Sequence, residues 1–582
     1  MMKYSALALI AGAALIVACS ATNNQNTSPI TPEPLPSGAP STTATQAKPP
    51  IELALSAEPE RIAMPVRSAL AKTLTDTNAA QGLPQSAEQI APGRHSVTLS
   101  TLPVAIDGSW PLDQNEQYAL VPASSIKQTR TDPVSTFATD VDTASYSNSR
   151  RFLQQGQLPP VEAIRVEEFI NYFDYQLPNP AAPGAPIGIS TELMATPWNA
   201  HTQLLRVALQ AQRTERNDLP PLNLVFLLDV SGSMHSADKL PLMQSSFNLL
   251  VQQLRPEDHV AIVVYAGASG VVLEPTSGQH QAQILAAIHS LTAGGSTHGS
   301  AGIELAYELA SQHFQPDAIN RVLLATDGDF NVGTQDTAAL VRLIEQKRAL
   351  GVFLSVLGFG RGNYNDAMME ELSNHGNGTA YYIDSFQEAR KIFAEQLTAT
   401  LQTVAQDVKI QIEFNPEQIA EYRLLGYDNR ALEREDFNND KIDAGEMGAG
   451  HSVTALYEIV PSASGFRFSD PLRYQAATQP RDSDQTELAF VKVRYKLPGA
   501  QHSELLSVPI TAGQQNRPSD AMQLSSAVAG FAEMLRASPY LGDLNFALIA
   551  EMIGPTLAQD RWGYRQDLLQ LVRNANALSI KH

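Results

Sequence analysis

The chain has 582 residues, 43% of them hydrophobic and 17% charged, enough apolar content for several buried cores and too much for a wholly disordered or collagen-like chain. With 40 Lys+Arg against 60 Asp+Glu the net charge is -20, which argues against a nucleic-acid backbone or an anionic lipid face as the main partner, because both recruit clustered cations. The single cysteine, Cys19, excludes intrachain disulfides and a cysteine-based zinc site, and the sequence carries no P-loop, zincin or nucleophile-elbow motif.

Residues 1–18 join a cationic start to an apolar stretch that ends in small residues, the pattern of a secretory signal and too short to span a bilayer comfortably. Ile16-Val17-Ala18-Cys19 resembles a bacterial lipobox. That resemblance implies cleavage before Cys19 and lipidation of it, and Ser20 behind it implies sorting to the outer membrane, facing the periplasm or the surface. Residues 19–130 are dominated by Ser, Thr, Ala, Asn, Gln and Pro and read as a mostly disordered tether, with a helix near Ile62 to Leu74.

From 131 to 220 the pattern predicts two helices, Ser145–Gln155 and Val161–Phe173, then strands at Ile187–Trp198 and Leu204–Gln210. Residues 221–401 alternate strand and helix. Strands are expected at Leu222–Leu228, His259–Tyr265, Val271–Leu273, Arg321–Ala325, Phe353–Phe359 and Thr379–Ile383. Helices are expected around Met243–Leu254 and over Gln281–Leu291, Ser300–Gln312, Asp336–Leu350 and Gln387–Leu401. That alternation predicts a doubly wound, mostly parallel α/β sheet covered on both faces. Residues 402–520 return to β, with strands at Val408–Phe414, Tyr422–Gly426, Ser452–Val460 and Leu488–Leu497, and residues 521–582 are helical with breaks at Pro539 and Pro555. β segments on both sides of the α/β unit predict one sandwich into which that unit is inserted.

Directly behind the first core strand stands Asp229-Val230-Ser231-Gly232-Ser233-Met234. One carboxylate and two hydroxyls at the carboxyl end of a parallel strand, where doubly wound folds bind ligands, make a poor catalytic triad for lack of an adjacent base. They make a good partial shell for a hard cation such as Mg²⁺. Further oxygens are offered by Gly294-Gly295-Ser296-Thr297 and by Thr326-Asp327-Gly328. Asp229, Ser231, Ser233, Thr297 and Asp327 resemble the metal-ion-dependent adhesion site of von Willebrand factor type A (VWA) domains. The resemblance implies a divalent cation, Mg²⁺ first and Mn²⁺ or Ca²⁺ as alternatives, with a position left for an acidic side chain of a partner.

A second resemblance covers residues 131–582. Thr139-Asp140-Val141-Asp142-Thr143-Ala144-Ser145-Tyr146, Arg150-Arg151-Phe152-Leu153, Arg165-Val166-Glu167-Glu168 and Asn171-Tyr172-Phe173 look like the N-terminal region of a bacterial lipoprotein family with a central VWA domain. Phe437-Asn438-Asn439-Asp440, Gly448-Ala449-Gly450-His451 and Trp562-Gly563-Tyr564-Arg565 match the tail of the same family. It implies a Rossmann-like VWA domain within or beside a β-sandwich, plus C-terminal helices.

Other clusters have plainer readings. Asp436, Asn438, Asp440, Asp443 and Glu446 suggest a calcium loop but lack the Gly and Glu an EF-hand requires, so a polar loop is expected. Asp142 or Thr143 is expected to cap a helix, and Asp140 with Asp142 to be a cation site only as the lesser alternative. Arg150-Arg151 reads as a pair on a helix surface, and the Phe and Tyr residues of 152–175 as core. Asp329 is either a group tuning the metal's charge or a solvated turn residue. Met234, His235, His298 and Phe330 are expected to form a rim that sets partner specificity.

The functional expectation is a lipid-anchored, non-catalytic module of the cell envelope. Its cation would capture an acidic side chain of an envelope or surface protein, with no nucleic-acid partner. One alternative is an envelope assembly or maintenance factor that binds through the flanking domains, its metal being structural. The other is a metal-dependent hydrolase, which needs a base from among His235, His298 and Asp329.

Overall fold

A computed structural model of the chain describes residues 116–119, 122, 124–182, 184–297, 299–329, 337–470, 487–513 and 517–580. The signal segment, Cys19 and the expected helix near Ile62 lie outside the described residues. In chain order the elements are β1 (Lys127–Gln128), β2 (Val134–Ala138), α1 (Ala144–Gln154), α2 (Val166–Asn171), β3 (Ile187–Ala195), β4 (Gln203–Ala211), β5 (Leu222–Asp229), α3 (Leu240–Val251), β6 (His259–Tyr265), β7 (Ser269–Ser277), α4 (Gln281–His289), α5 (Gly299–Gln312), β8 (Ile319–Thr326), α6 (Thr337–Ala349), β9 (Val352–Phe359), α7 (Asp366–His375), β10 (Ala380–Ile383), α8 (Phe386–Arg390), α9 (Leu397–Leu401), β11 (Thr403–Phe414), β12 (Ile419–Leu425), β13 (Gly445–Gly448), β14 (Ser452–Pro461), β15 (Glu487–Lys496), β16 (Glu504–Thr511), α10 (Asp520–Leu535), α11 (Phe546–Ile553) and α12 (Tyr564–Ser579).

The α/β unit is a six-stranded sheet in the order β10-β9-β8-β5-β6-β7, parallel except for β7, which runs antiparallel to β6. Every residue of β5 is buried, as a central strand covered on both faces requires. Alternate residues divide between two cores. Leu222, Leu224, Phe226 and Leu228 join Phe247 of α3, Ile284 of α4 and Phe393. Val225 and Leu227 join Ile303 and Tyr307 of α5, Ile344 of α6 and Leu372 of α7.

The strands before and after this unit share two antiparallel sheets. One has the order β1-β12-β14-β4-β3; the other is β13-β11-β15-β16, with β2 also paired to β11. Between them lies a core that mixes Phe137, Leu205 and Val207 with Ile410, Ile412, Tyr457 and Val491. The α/β unit is therefore inserted into a sandwich, as the pattern of the sequence predicts. A further core packs Tyr146, Phe169, Tyr172 and Phe173 against Met522, Val528 and Phe531 of α10, Ile549 of α11 and Val572 of α12. The aromatic residues expected as core are core.

Several local expectations are corrected. The helix expected over Val161–Phe173 is a 3₁₀ turn, Val161–Ala163, followed by α2. Ile164 and Arg165 are extended between them. The Ser145 hydroxyl donates to the Ala163 carbonyl at 2.5 Å and accepts from the Arg165 amide at 2.9 Å, so tertiary bonds hold open what local propensity would close. The closing helix expected as one piece is α8, a π-helical turn over Lys391–Glu395, and α9. Pro555 sits in the first turn of a 3₁₀ segment, Gly554–Gln559, that follows α11 directly, a position where its missing N–H costs nothing.

The tether expected to run to residue 130 joins the fold earlier. Glu116 forms a two-pronged pair with Arg151 at 2.9 and 3.0 Å and accepts from the Gly362 amide at 3.0 Å. Lys127–Gln128 pairs with β12. Arg150 and Arg151 are not a surface pair. Arg150 is 2% exposed, and its guanidinium holds Asp384 at 2.7 Å, Glu388 at 2.7 Å and the Tyr172 hydroxyl at 2.8 Å. Neither Asp142 nor Thr143 caps α1 through its side chain. Asp140, Asp142 and Glu370 instead converge on Arg430 at 2.9, 3.2 and 3.0 Å, so a guanidinium takes the place that a cation would need.

Candidate metal centre

β5 lies between β8 and β6, and the chain leaves it at its carboxyl end, Asp229, which is fully buried. Its Oδ1 accepts from the Ser231 amide at 2.8 Å, an Asx turn that bends the chain back over the end of the strand. Gly232–His235 then forms a 3₁₀ turn. The turn brings the Ser231 and Ser233 hydroxyls to 3.0 Å from each other.

Two further loops close on this turn. The Gly294 amide donates to Val230 O at 2.8 Å and the Gly232 amide to Gly295 O at 3.0 Å. A Cβ on Gly295, whose φ is +84°, would stand 3.1 Å from Gly267 N. Backbone therefore meets backbone there, and Thr297 follows, half-buried, at the start of α5. From the neighbouring strand β8 the Thr326 hydroxyl donates to Asp229 Oδ2 at 3.4 Å and accepts from the Gly328 amide at 3.2 Å. Asp327 is fully buried. Its Oδ1 accepts from the Asp329 amide at 3.1 Å, and its Oδ2 from Lys239 Nζ at 2.8 Å and Asn363 Nδ2 at 3.3 Å.

Burial pushes the Asp229 carboxyl up to about 6; its bonds from Ser231 act against this and the charge of Asp327 adds to it. A carboxylate taken out of water and met by the neutral donors Ser231 N and Thr326 Oγ1 is stabilised by any cation that reaches it. The donor set is two carboxylates and three hydroxyls, all hard oxygen, which suits Mg²⁺, Mn²⁺ or Ca²⁺. The residues fit the ion that the resemblance implies.

The rim is only partly as expected. Met234 is 0% exposed and belongs to the core packed on β5 and α3, because the 3₁₀ turn directs it inward while the Ser233 hydroxyl turns to Ser231; it is not a rim residue. His235 is exposed. His298 and Phe330 lie outside the described residues. Asp329 is exposed and gives its amide to Asp327, with burial and the Asp327 charge raising its carboxyl. Lys239 and Asn363 were not legible as site residues. A cation just before Leu240-Pro241, at the edge where the ligand loops gather, is the one signal the sequence offered.

The acidic loop 436–446 is a polar loop held by protein cations. Lys409 donates to the Asp436 and Asn439 carbonyls at 3.2 and 2.6 Å, Arg494 to Asn438 and Asp440 at 3.1 Å each, Lys496 to the Asp440 carbonyl at 2.7 Å and Arg348 to Asp443 at 2.7 Å.

Three family models match the chain. The family described as von Willebrand factor type A domain matches residues 223–395. One described as von Willebrand factor matches residues 112–206, and the C-terminal family of the uncharacterized protein YfbK matches residues 399–578. The chain is 45% identical over 462 residues to the uncharacterized protein YfbK of Escherichia coli (strain K12), covering 78% of this chain and 80% of that protein. It is 28% identical over 191 residues to the uncharacterized protein sll0103 of Synechocystis, covering 33% and 44%. Among solved structures, von Willebrand factor type A from Catenulispora acidiphila aligns over 66% of this chain and 89% of that one, with 17% identity and a TM-score of 0.38.

Proposed function

The chain belongs to the YfbK family, with a VWA domain at its centre and the YfbK C-terminal domain behind it, and from that premise we propose that it is a metal-dependent protein-binding module of the cell envelope. VWA domains typically mediate metal-dependent protein interactions, usually bind a divalent metal at the adhesion site, and are in general not catalytic.

The reading assigns the cation to the hydroxyls of Ser231, Ser233 and Thr297 and to the carboxylates of Asp229 and Asp327, with Mg²⁺ as the physiological ion. The ion would supply positive charge at one point of an otherwise acidic surface. A carboxylate of a partner protein completes its shell, as a hard cation with few protein charges favours. The observation that carries the reading is the pair of hydroxyls 3.0 Å apart over the buried Asp229, with the Gly294–Thr297 loop bonded against them. Cys19 with an attached lipid would hold the protein at the outer membrane. Membrane fractionation of wild type and Cys19→Ser tests this, and recovery of both in the same fraction contradicts it.

The binding reading is tested by capture from solubilised envelope on the immobilised protein, in Mg²⁺, in chelator and with Asp327→Ala. Partners retained only by wild type in Mg²⁺ are expected. Partners retained equally in all three arms contradict a metal-bridged contact and move binding to the flanking domains.

A further inference from the structure

Both oxygens of Asp327 are already engaged by the protein, and the donor on Oδ2 is a full positive charge. Lys239 Nζ lies 2.8 Å from it, with the lysine 6% exposed and Asp327 fully buried. This is no loose surface contact. The Lys239 amide donates to Ser236 O at 3.1 Å, and its carbonyl accepts the first helical bond of α3, from the Met243 amide at 2.8 Å; the backbone is fixed by the start of the helix.

The lysine stem then crosses Gly360, just past the end of β9. Gly360 has φ +71°, and a Cβ there would stand 2.2 Å from Lys239 Cγ and 2.6 Å from Cε. A side chain there would push the stem from this path. The Tyr382 hydroxyl holds the Gly360 carbonyl at 2.8 Å, so the passage itself is fixed in place. Two separate elements are thus shaped to deliver one ammonium to one carboxylate of the proposed metal shell.

The charge count decides what this does. The two ligand carboxylates, Asp229 and Asp327, carry two negative charges, and Lys239 reduces their sum to one; the neighbouring Asp329 is exposed, so its charge is screened by water and is left out of the sum. A divalent cation would bring a shell of two carboxylates alone to neutrality, but it brings this shell to a net positive charge. Like charges a few ångströms apart in a buried site repel strongly.

We propose that Lys239 is a resident counter-cation of the metal site: it holds the empty site together, weakens its grip on the divalent ion, and leaves the filled site net positive toward an acidic partner. The inference rests on the metal reading given above. It makes Lys239 a positioning and affinity-setting residue, not a ligand. A merely structural Lys239, needed to orient Asp327, has the opposite consequence, because its loss would then weaken metal binding.

The experiment is a titration of the chelator-stripped full chain with Mg²⁺ followed by calorimetry, and with Mn²⁺ followed by the loss of the free-ion EPR signal. Wild type is compared with Lys239→Gln, Lys239→Met, Gly360→Ala and, as the binding-dead control, Asp229→Ala. Loss of the charge in either Lys239 variant is expected to tighten both ions by about tenfold or more. Gly360→Ala, which displaces the stem without touching Asp327, is expected to tighten them in the same direction. Thermal melting of each stripped chain establishes that it is folded. Where the Lys239 variants fail to fold, Gly360→Ala decides. Equal or weaker binding in the folded variants overturns the inference while leaving the metal reading intact. Absence of binding to wild type and to every variant overturns the metal reading and the inference together.

Discussion

Asp229 concentrates the physics of the site in one residue. Its carboxyl is fully buried and pushed up to about 6 by that burial, against about 3.9 in an unfolded chain. A folded-state value above the unfolded one means that the folded, metal-free protein binds the extra proton between those values. Its stability therefore falls as pH rises through that window and stays lower above pH 6. Asp229→Asn removes the effect. The stripped variant is expected to exceed stripped wild type by about 3 kcal/mol at pH 7.5 and by about half of that at pH 5, read by urea titrations at both pH values. A difference that does not change with pH contradicts the assignment. With Mg²⁺ at about a hundredfold its Kd the variant's lead is expected to be nearly cancelled, because only wild type gains, by about 2.7 kcal/mol, from binding the ion. Asp229, Ser231, Ser233, Thr297 and Asp327 could be read from the sequence because each ligand loop follows a strand and carries its oxygens at a fixed offset. Lys239 and Gly360 could not: their roles rest on a crossing between residues about 120 positions apart, which no local pattern records. Met234 was misplaced because it directly follows the ligand Ser233, and a 3₁₀ turn rotates each successive side chain by about 120°, carrying Met234 into the core.

Among the elements, α1 and the segment around α8 show how charge is used inside this fold. Arg150 on α1 reaches Asp384 and Glu388 beside and within α8, all three nearly inaccessible. Removing the cation strands two carboxylates in the interior. Arg150→Ala is therefore expected to cost about 3–5 kcal/mol, measured by chemical denaturation; a loss under 1 kcal/mol would show the cluster to be wetter than described. The reading of Arg150-Arg151 as a surface pair failed for a general reason. Adjacent arginines on a helix are usually solvated, and only the distant acids of α8 and Glu116 reveal that these are not. Strands with continuous apolar runs, such as β5 and β6, were legible to within a residue or two because burial on both faces leaves no other composition. β2 and β16 were missed: β2 is short, and β16 is an edge strand whose outer residues are largely exposed, so neither shows a clean alternation. The α7 helix was missed because its sequence, DAMMEELSNH, has too few apolar positions to display a stripe.

At the scale of the whole molecule, the sandwich and the aromatic core are each built from chain segments on opposite sides of the α/β unit. Neither flank can complete its core alone. A chain ended at residue 513 leaves Tyr146, Phe169 and Tyr172 without the α10–α12 residues that cover them. It is expected to be insoluble, or to melt without a cooperative transition, by circular dichroism; a cooperative transition like that of the full chain contradicts this. The inserted arrangement was legible because β patterning brackets the α/β alternation. Which strands share a sheet was not, since β4 pairs with β14 across about 240 residues and only the fold brings them together. That frame holds the ends of β5 and β8 and the loop before α5 in fixed relation, so that their oxygens can form one proposed metal site. The measurement that tests it most directly is a calorimetric titration of Mg²⁺ into the chelator-stripped full chain, wild type beside Thr297→Ala, with both shown to be folded. One ion per wild-type chain is expected, with binding weakened at least tenfold in the variant. Equal binding by both, or none by wild type, would contradict it.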